Sequence, residues 1–229
     1  MTHPRIGVIL AGCGHLDGAE IQESVLTLLA IDRAGASAVC MAPDKEQVDV
    51  VNHRTGKPTG EKRNVLVEAA RIARGNIRSL HDVNPDDLDA VILPGGFGAA
   101  KNLVNFATAG AECTVDPAVA ALLRAVHAAG KPIAALCIAP AVLAALFGKT
   151  LHPDLTIGND AGTARTLEAM GAHHVQAGIT DVVVDRKNRL VTTPCYMYDA
   201  RVGEVALGAE RAVHELLALA GAKPAAHRT

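Results

Sequence analysis

Cys137 stands where an apolar run ends and a helix signal begins, in Ile133-Ala134-Ala135-Leu136-Cys137-Ile138-Ala139-Pro140. An unbroken apolar run of this length suits a strand buried on both faces of a parallel sheet. Pro140 suits a first helical turn, where a missing N–H leaves nothing unpaired. A cysteine between the two is held on a tight strand-to-helix turn with its side chain lifted clear of the sheet, the geometry of a nucleophile elbow. The helix N-terminus then points free N–H groups and the positive end of its dipole at the sulfur, which favours thiolate. A small core cysteine is the alternative for the same residue, because free cysteine is among the most buried residue types.

Other residues could complete such chemistry. Pro94-Gly95-Gly96-Phe97-Gly98-Ala99-Ala100-Lys101-Asn102 follows the apolar run Ala90 to Leu93. Glycines at 95, 96 and 98 permit close backbone approach or positive φ, and beside a nucleophile the loop would present N–H groups to a developing oxyanion. An ordinary turn needs fewer glycines. Ala11-Gly12-Cys13-Gly14 closes another apolar run, Ile6 to Leu10, but the dinucleotide fingerprint fails because Asp17 occupies its last glycine position. Asp17 reads as a helix cap with Glu20 at the capping-box position, and that helix runs to Gly35. Glu23, three residues beyond Glu20, is not taken up by the cap; a solvated helical glutamate is the alternative to a functional one there.

These residues need a scaffold, and the elements are legible. Strands are expected at 6–10, 38–41, 77–80, 90–93, 133–136 and 155–158, with a hairpin of 181–185 and 190–193 about Arg186-Lys187-Asn188. Helices are expected over 64–74, 116–129, 163–170 and 199–220, besides the two already named. Gln47 to Asn52 alternates polar and apolar as a half-exposed strand would, turning at His53-Arg54-Thr55-Gly56 into a hairpin added to the main sheet. His53 reads as a surface turn residue. Strand and helix alternate throughout, so the expected fold is α/β: a single-domain three-layer sandwich with a central, mostly parallel sheet over 1–221, followed by a disordered tail over 222–229. Ligand sites in such sheets lie at the strand carboxyl ends, where Gly12-Cys13, Gly95-Gly96 and Cys137 converge.

Composition narrows the partners. The chain has 229 residues, a net charge of −2, and 2% aromatic residues with no tryptophan. Nucleic acid, an anionic membrane surface and a base-stacking platform are all disfavoured. No apolar run approaches the ~20 residues of a membrane span. Five cysteines without a C-x-x-C pair indicate neither a disulfide framework nor a zinc site. With no signal-peptide pattern in the first residues, the expected location is cytoplasmic, or organellar after processing, with reduced thiols. Hydrophobic residues make up 49% and charged residues 20% of the chain, which suggests apolar surface covered in a homodimer.

The elbow Ala135-Leu136-Cys137-Ile138-Ala139-Pro140, the loop 94–102 and the opening Gly7-Val8-Ile9-Leu10-Ala11-Gly12-Cys13-Gly14 together resemble the ElbB family. These are glyoxalase-like proteins of the class I glutamine amidotransferase-like superfamily, with a flavodoxin-like fold, related to the PfpI protease and to the parkinsonism-associated deglycase. The resemblance spans about residues 5–220. It implies that Cys137 is a nucleophile and that a glutamate of the first βα unit, falling on Glu23, contacts it. Gly95, Gly96, Ile138 and Gly12 are then the oxyanion or substrate-binding positions. It further implies glutathione-independent conversion of glyoxal to glycolate, no metal or cofactor, a link to isoprenoid metabolism, and frequent dimerisation. One departure matters: protease relatives carry a histidine directly after the cysteine, and position 138 is Ile. His152 matches an amidotransferase-like histidine only loosely, and His173 and His174 read as surface residues. Without a Cys–His pair amide hydrolysis is disfavoured, because the leaving amine needs a proton donor.

Three functional readings follow. The first is a glyoxalase acting on small dicarbonyls. The second is a redox or stress sensor oxidised at Cys137, which needs the same thiolate. The third is a metabolite- or partner-binding subunit with a silent elbow. Cys13, Cys40, Cys113 and Cys195 read as structural or incidental, although Cys13 and Cys195 end strands and could lie near the site.

Overall fold

The computed structural model describes residues 3–222. Its elements in chain order are β1 (Arg5–Ile9), α1 (Ile21–Arg33), β2 (Ser37–Ala42), β3 (Val51–Asn52), β4 (Lys57–Pro58), α2 (Val65–Ile72), β5 (Arg78–Ser79), β6 (Ala90–Leu93), α3 (Phe106–Ala109), α4 (Pro117–Ala128), β7 (Ile133–Leu136), α5 (Pro140–Leu151), β8 (Asp154–Leu155), α6 (Ala161–Ala169), β9 (His173–His174), β10 (Val183–Asp185), β11 (Leu190–Thr193) and α7 (Val202–Leu219). Seven strands form one sheet in the order β10-β11-β7-β6-β1-β2-β5. Every pairing in it is parallel except β10 with β11.

Parallel strands need helical crossovers, and those helices cover both faces. β6 and β7 are accordingly apolar along their length and buried, as is β1 from Ile6 onward. α1 packs on α7, α7 covers β7 and β11, and α4 and α5 pack on β6 and β7. The α/β architecture with a mostly parallel central sheet flanked by helices is as the residue pattern predicts. The tail expected over 222–229 lies, from residue 223, outside the described residues, while the Ala222 N–H still bonds the Leu217 carbonyl and closes α7.

Local assignments differ in three places. α1 begins at Ile21, not Asp17: Glu20 is itself the N-cap, its side chain accepting the Glu23 N–H at 2.6 Å. Asp17 accepts the Val51 N–H at 2.7 Å instead, so the capping pattern belongs to a loop clasp and not to a helix start. The segment 47–52 is strand only at Val51–Asn52, and its hairpin with β4 forms a separate two-stranded sheet. Gln47 and Asp49 engage each other and Lys101 rather than a ladder. β8 likewise pairs only with β9, away from the main sheet.

Close glycine contacts join the loops that will carry the site. A Cβ on Gly98 would lie 2.4 Å from the Gly18 carbonyl carbon and 2.6 Å from the Ala11 oxygen. That approach lets the Gly98 N–H donate to the Gly18 carbonyl at 2.9 Å and the Phe97 N–H donate to the His15 carbonyl at 2.8 Å. Asn102, on the π-helical turn Ala99–Leu103 and 1% exposed, completes the join: its Nδ2 donates to the Ala11 and Asp17 carbonyls, and its Oδ1 accepts the Val48 N–H. Gly98→Ala is expected to separate the two loops and destabilise the fold by about 1–3 kcal/mol, the usual scale of overpacking. Urea unfolding of the variant against the parent checks this.

Candidate active site

The Cys137 backbone is strained. Its φ of 58° is in the left-handed region, which costs a non-glycine residue on the order of 1–2 kcal/mol and persists only where the surroundings impose it. Here the parallel ladder imposes it. The Cys137 N–H still donates to the Thr193 carbonyl of β11 at 2.9 Å, and two residues later the chain is already turning as α5. The sequence reading of an elbow holds in its geometry. The side chain is 7% exposed and opens on a cavity of about 400 Å³.

Glu23 reaches the same point from α1. It lies on the buried face of that helix with Ser24 and Thr27 and is fully inaccessible. Its Oε2 accepts the Gly95 N–H at 2.9 Å and its Oε1 accepts the Tyr196 N–H at 3.1 Å. The carboxyl also shares a hydrogen bond with the Cys137 thiol. Gly95 can have no side chain, because a Cβ there would fall 2.4 Å from the Cys137 Cβ and 2.8 Å from the Glu23 Oε2. The N–H groups of Gly96 and Ile138 face the sulfur. Four backbone N–H groups from three loops therefore converge on one thiol–carboxyl pair.

Two acids in one buried site cannot both ionise cheaply. Burial pushes the Glu23 carboxyl up from 4.5 to about 7, against the lowering effect of the Tyr196 and Gly95 N–H groups. Burial, and then the Glu23 charge, push the Cys137 thiol up, while the Gly96 and Ile138 N–H groups oppose that rise. The helix terminus alone predicts a depressed thiol pKa; burial and the carboxylate work against it. The titrating unit is thus the pair, which loses its first proton near pH 7 and holds the second beyond the ordinary thiol range.

Not every expected residue joins the site. Gly12, expected to bind substrate, instead packs against Gly18 and Gln47 with φ 106° and does not line the cavity; it shapes the loop behind it. Gly95, expected to face an oxyanion, has its N–H engaged by Glu23, which leaves Gly96 and Ile138 as the donors nearest the sulfur. His152 caps the far end of α5 with its Nδ1 2.9 Å from the Gly171 carbonyl, about 18 Å of helix from the elbow, so it has no place beside Cys137. His173 pairs with Asp154, and half-buried His174 accepts from the Ile157 N–H. Cys13 lies toward Glu68 and Arg71, while Cys195 is fully buried near Glu23 and Cys137 with φ 44°.

Several cavity residues escaped the residue pattern. His15, Glu20, Phe97, Phe106, Asp160, Thr163, Tyr196 and Met197 all line the cavity. Tyr196 was findable, since it follows a strand end adjacent to the elbow strand. His15 sits on the loop after β1 and Asp160 caps α6, positions that only the packing of distant loops brings to Cys137.

A parallel α/β sheet with a left-handed cysteine between a central strand and a helix, and a buried helical glutamate bonded to it, defines a cysteine-elbow protein of glutamine amidotransferase-like fold. The model of the DJ-1/PfpI family matches residues 13–195, and the chain belongs to that family. It is 42% identical over 227 residues to the ES1 protein homolog, mitochondrial, of Rattus norvegicus, spanning 95% of this chain and 84% of that protein. It is also 42% identical over 228 residues to the Homo sapiens glutamine amidotransferase-like class 1 domain-containing protein 3, mitochondrial, with the same coverage. An isoprenoid biosynthesis protein with amidotransferase-like domain from Ehrlichia chaffeensis superposes with a TM-score of 0.88 at 36% identity, covering 93% of this chain and 99% of that one. The mitochondrial names correct the cytoplasmic expectation. Free, unpaired thiols suit any reducing compartment, so cysteine usage could not discriminate among them.

The raised Glu23 pKa has a consequence for stability. Protonation of Glu23 favours the folded state below about 4.5, and that contribution, roughly 3 kcal/mol, is lost as pH rises through about 7. Glu23→Gln removes the titration, so its stability is expected to fall far less between pH 5 and pH 8 than the parent's; thermal melts at both pH values measure this. Alkylation of Cys137 by iodoacetamide, followed by mass spectrometry across pH, is expected to rise through an inflection near 7 as the pair loses its first proton. Glu23→Gln should lose that inflection.

Proposed function

We propose that this chain is a glutathione-independent glyoxalase-like enzyme of the ElbB type that converts small dicarbonyls, glyoxal to glycolate among them. The observation that carries the reading is the buried hydrogen bond between the Glu23 carboxyl and the Cys137 thiol inside a water-accessible cavity. The proton that the pair retains is the one the reaction moves. With it on the carboxyl, the sulfur is free to add to an aldehyde carbon, forming the S–C bond while the carbonyl oxygen takes up a proton. Glu23, then ionised, removes the hydrogen from that carbon as a proton, the hydroxyl proton on that carbon passes to the neighbouring oxygen, and Glu23 returns its proton to the neighbouring carbon. The first carbon is thereby oxidised to a thioester and the second reduced to an alcohol, with no external oxidant. Water then cleaves the thioester to the hydroxy acid and restores the thiol. The N–H groups of Gly96 and Ile138 suit the oxyanion of each addition step.

Family membership supports a related enzyme or a stress-sensor role. The isoprenoid-biosynthesis name of the Ehrlichia protein supports the ElbB-type reading over the protease one, as does Ile138 in place of a histidine. Cys137→Ala is expected to abolish glyoxal consumption, and Glu23→Gln to lower it by on the order of 10²-fold, the scale of a lost general acid–base. Glycolate release by the purified protein is the measurement. Sulfinic acid at Cys137 under peroxide, with no glycolate from any preparation, would transfer the reading to the sensor.

A homodimer belongs to the same proposal. Ile21, Val25 and Leu29, spaced by four residues on α1, are 46%, 48% and 40% exposed and form one apolar stripe. Glu23 lies on the opposite, buried face of that helix. Light scattering is expected to give twice the chain mass at micromolar concentration, and the paired change Val25→Glu with Leu29→Glu to give the chain mass. A monomeric parent would end this part.

A further inference from the structure

The cavity over Cys137 is far larger than the reaction it is proposed to run. At about 400 Å³ it has room for on the order of ten waters, whereas a two-carbon dicarbonyl has four heavy atoms. Its wall is chiefly apolar: Phe97, Phe106, Ile138 and Met197 stand around the opening to the sulfur. Phe97 is 50% exposed, a large aromatic face left to solvent on the loop whose backbone serves Cys137. A wall of this kind binds a bulky apolar group and gains little from a small polar one.

The charges on the wall are of one sign. Glu20 and Asp160 both line the cavity, and among the described residues no lysine or arginine does. The nearest cation on the adjacent turn, Lys101, is directed away: its Nζ bonds Asp49 at 2.8 Å and the Leu16 carbonyl at 3.0 Å, beneath the Phe97 ring. Both carboxylates have structural work as helix N-caps, Glu20 on α1 and Asp160 on α6. An amide or hydroxyl residue would cap as well, so the cap alone does not account for charge at both positions. Together they set a repulsive field across the mouth, a way of rejecting the wrong ligand as well as holding the right one. Besides Cys137 itself, His15 and Tyr196 are the other titratable groups on the wall.

We infer that the Cys137 cavity selects uncharged carbonyl compounds bearing a bulky apolar substituent, of about the size of a phenyl ring, and discriminates against anionic ones such as 2-oxo acids and phosphorylated carbonyls. This rests on the reading of Cys137 as the residue that meets the carbonyl. Phe97 is the specificity-determining side chain for size, and Asp160 with Glu20 for charge.

The test separates binding from turnover. Protection of Cys137 against iodoacetamide is measured on the full chain at pH 8, above the ordinary imidazole range, with acetone, acetophenone and benzoylformate as probes. Acetophenone is expected to protect at a concentration at least about tenfold below that of acetone, and benzoylformate to need at least about tenfold more than acetophenone. Phe97→Ala should narrow the first gap. Asp160→Asn combined with Glu20→Gln, which keep a capping oxygen at both positions, should narrow the second. Equal protection by acetone and acetophenone overturns the inference, as does benzoylformate protecting as well as acetophenone. In parallel, turnover of phenylglyoxal and glyoxal is compared, with phenylglyoxal expected to show the higher kcat/KM. Absence of turnover on both with the protection ranking intact would remove the glyoxalase reading and leave the selectivity standing.

Discussion

One buried contact, between the Glu23 carboxyl and the Cys137 thiol, sets the terms for the rest of the molecule. Placing two acids out of water in the same site is costly unless they share a proton and are surrounded by donors. The fold supplies those donors from its backbone. Gly95 and Tyr196 serve the carboxyl, while Gly96 and Ile138 serve the sulfur. None of these requires a polar side chain.

The strain at Cys137 and the glycines of the 94–98 loop are two consequences of that arrangement. The left-handed turn lets the cysteine leave the ladder while its N–H stays paired with Thr193. The missing Cβ at Gly95 lets the first helix bring its glutamate to the sulfur. Behind them, Asn102 and Gly98 tie the loop after β6 to the loop after β1, so that the two strand ends are held as one surface. Since the strand order reverses about β1, between β2 and β6, the crevice lies where open parallel sheets ordinarily bind ligands.

The helix that carries Glu23 has two faces with different tasks. Its buried face holds Glu23, Ser24 and Thr27 against the sheet and α7, and its outer face carries the apolar stripe of Ile21, Val25 and Leu29. The N-cap of the same helix, Glu20, lines the cavity, and its neighbour Gln22 accepts from the Tyr196 hydroxyl. Any partner seated on the stripe would therefore border the opening over Cys137, which couples assembly to access through a single rigid element.

The amino-acid sequence by itself determined the alternation of strands and helices, the parallel central sheet and the elbow at Cys137. Each of these rests on local physics: an apolar run buried on two faces and a proline allowed only in a first turn. The assignment of Glu23 came from the family resemblance, and Glu20 caps α1 itself rather than partnering an Asp17 cap. Tertiary structure decided what local pattern could not. Asp17 looked like a cap, but the chain from 13 to 18 curls into a loop whose carboxylate accepts the Val51 N–H, 34 positions further along the chain. Gly12 looked like a ligand position and became the hinge of that loop, while His15 and Asp160 reached the cavity although neither lies near the elbow in sequence. The direction of the cysteine's pKa was also beyond the sequence. A helix terminus is visible in a string of residues, but the desolvation and the neighbouring carboxylate that oppose it exist only once α1 is folded against α7 and β2 and brings Glu23 to the elbow.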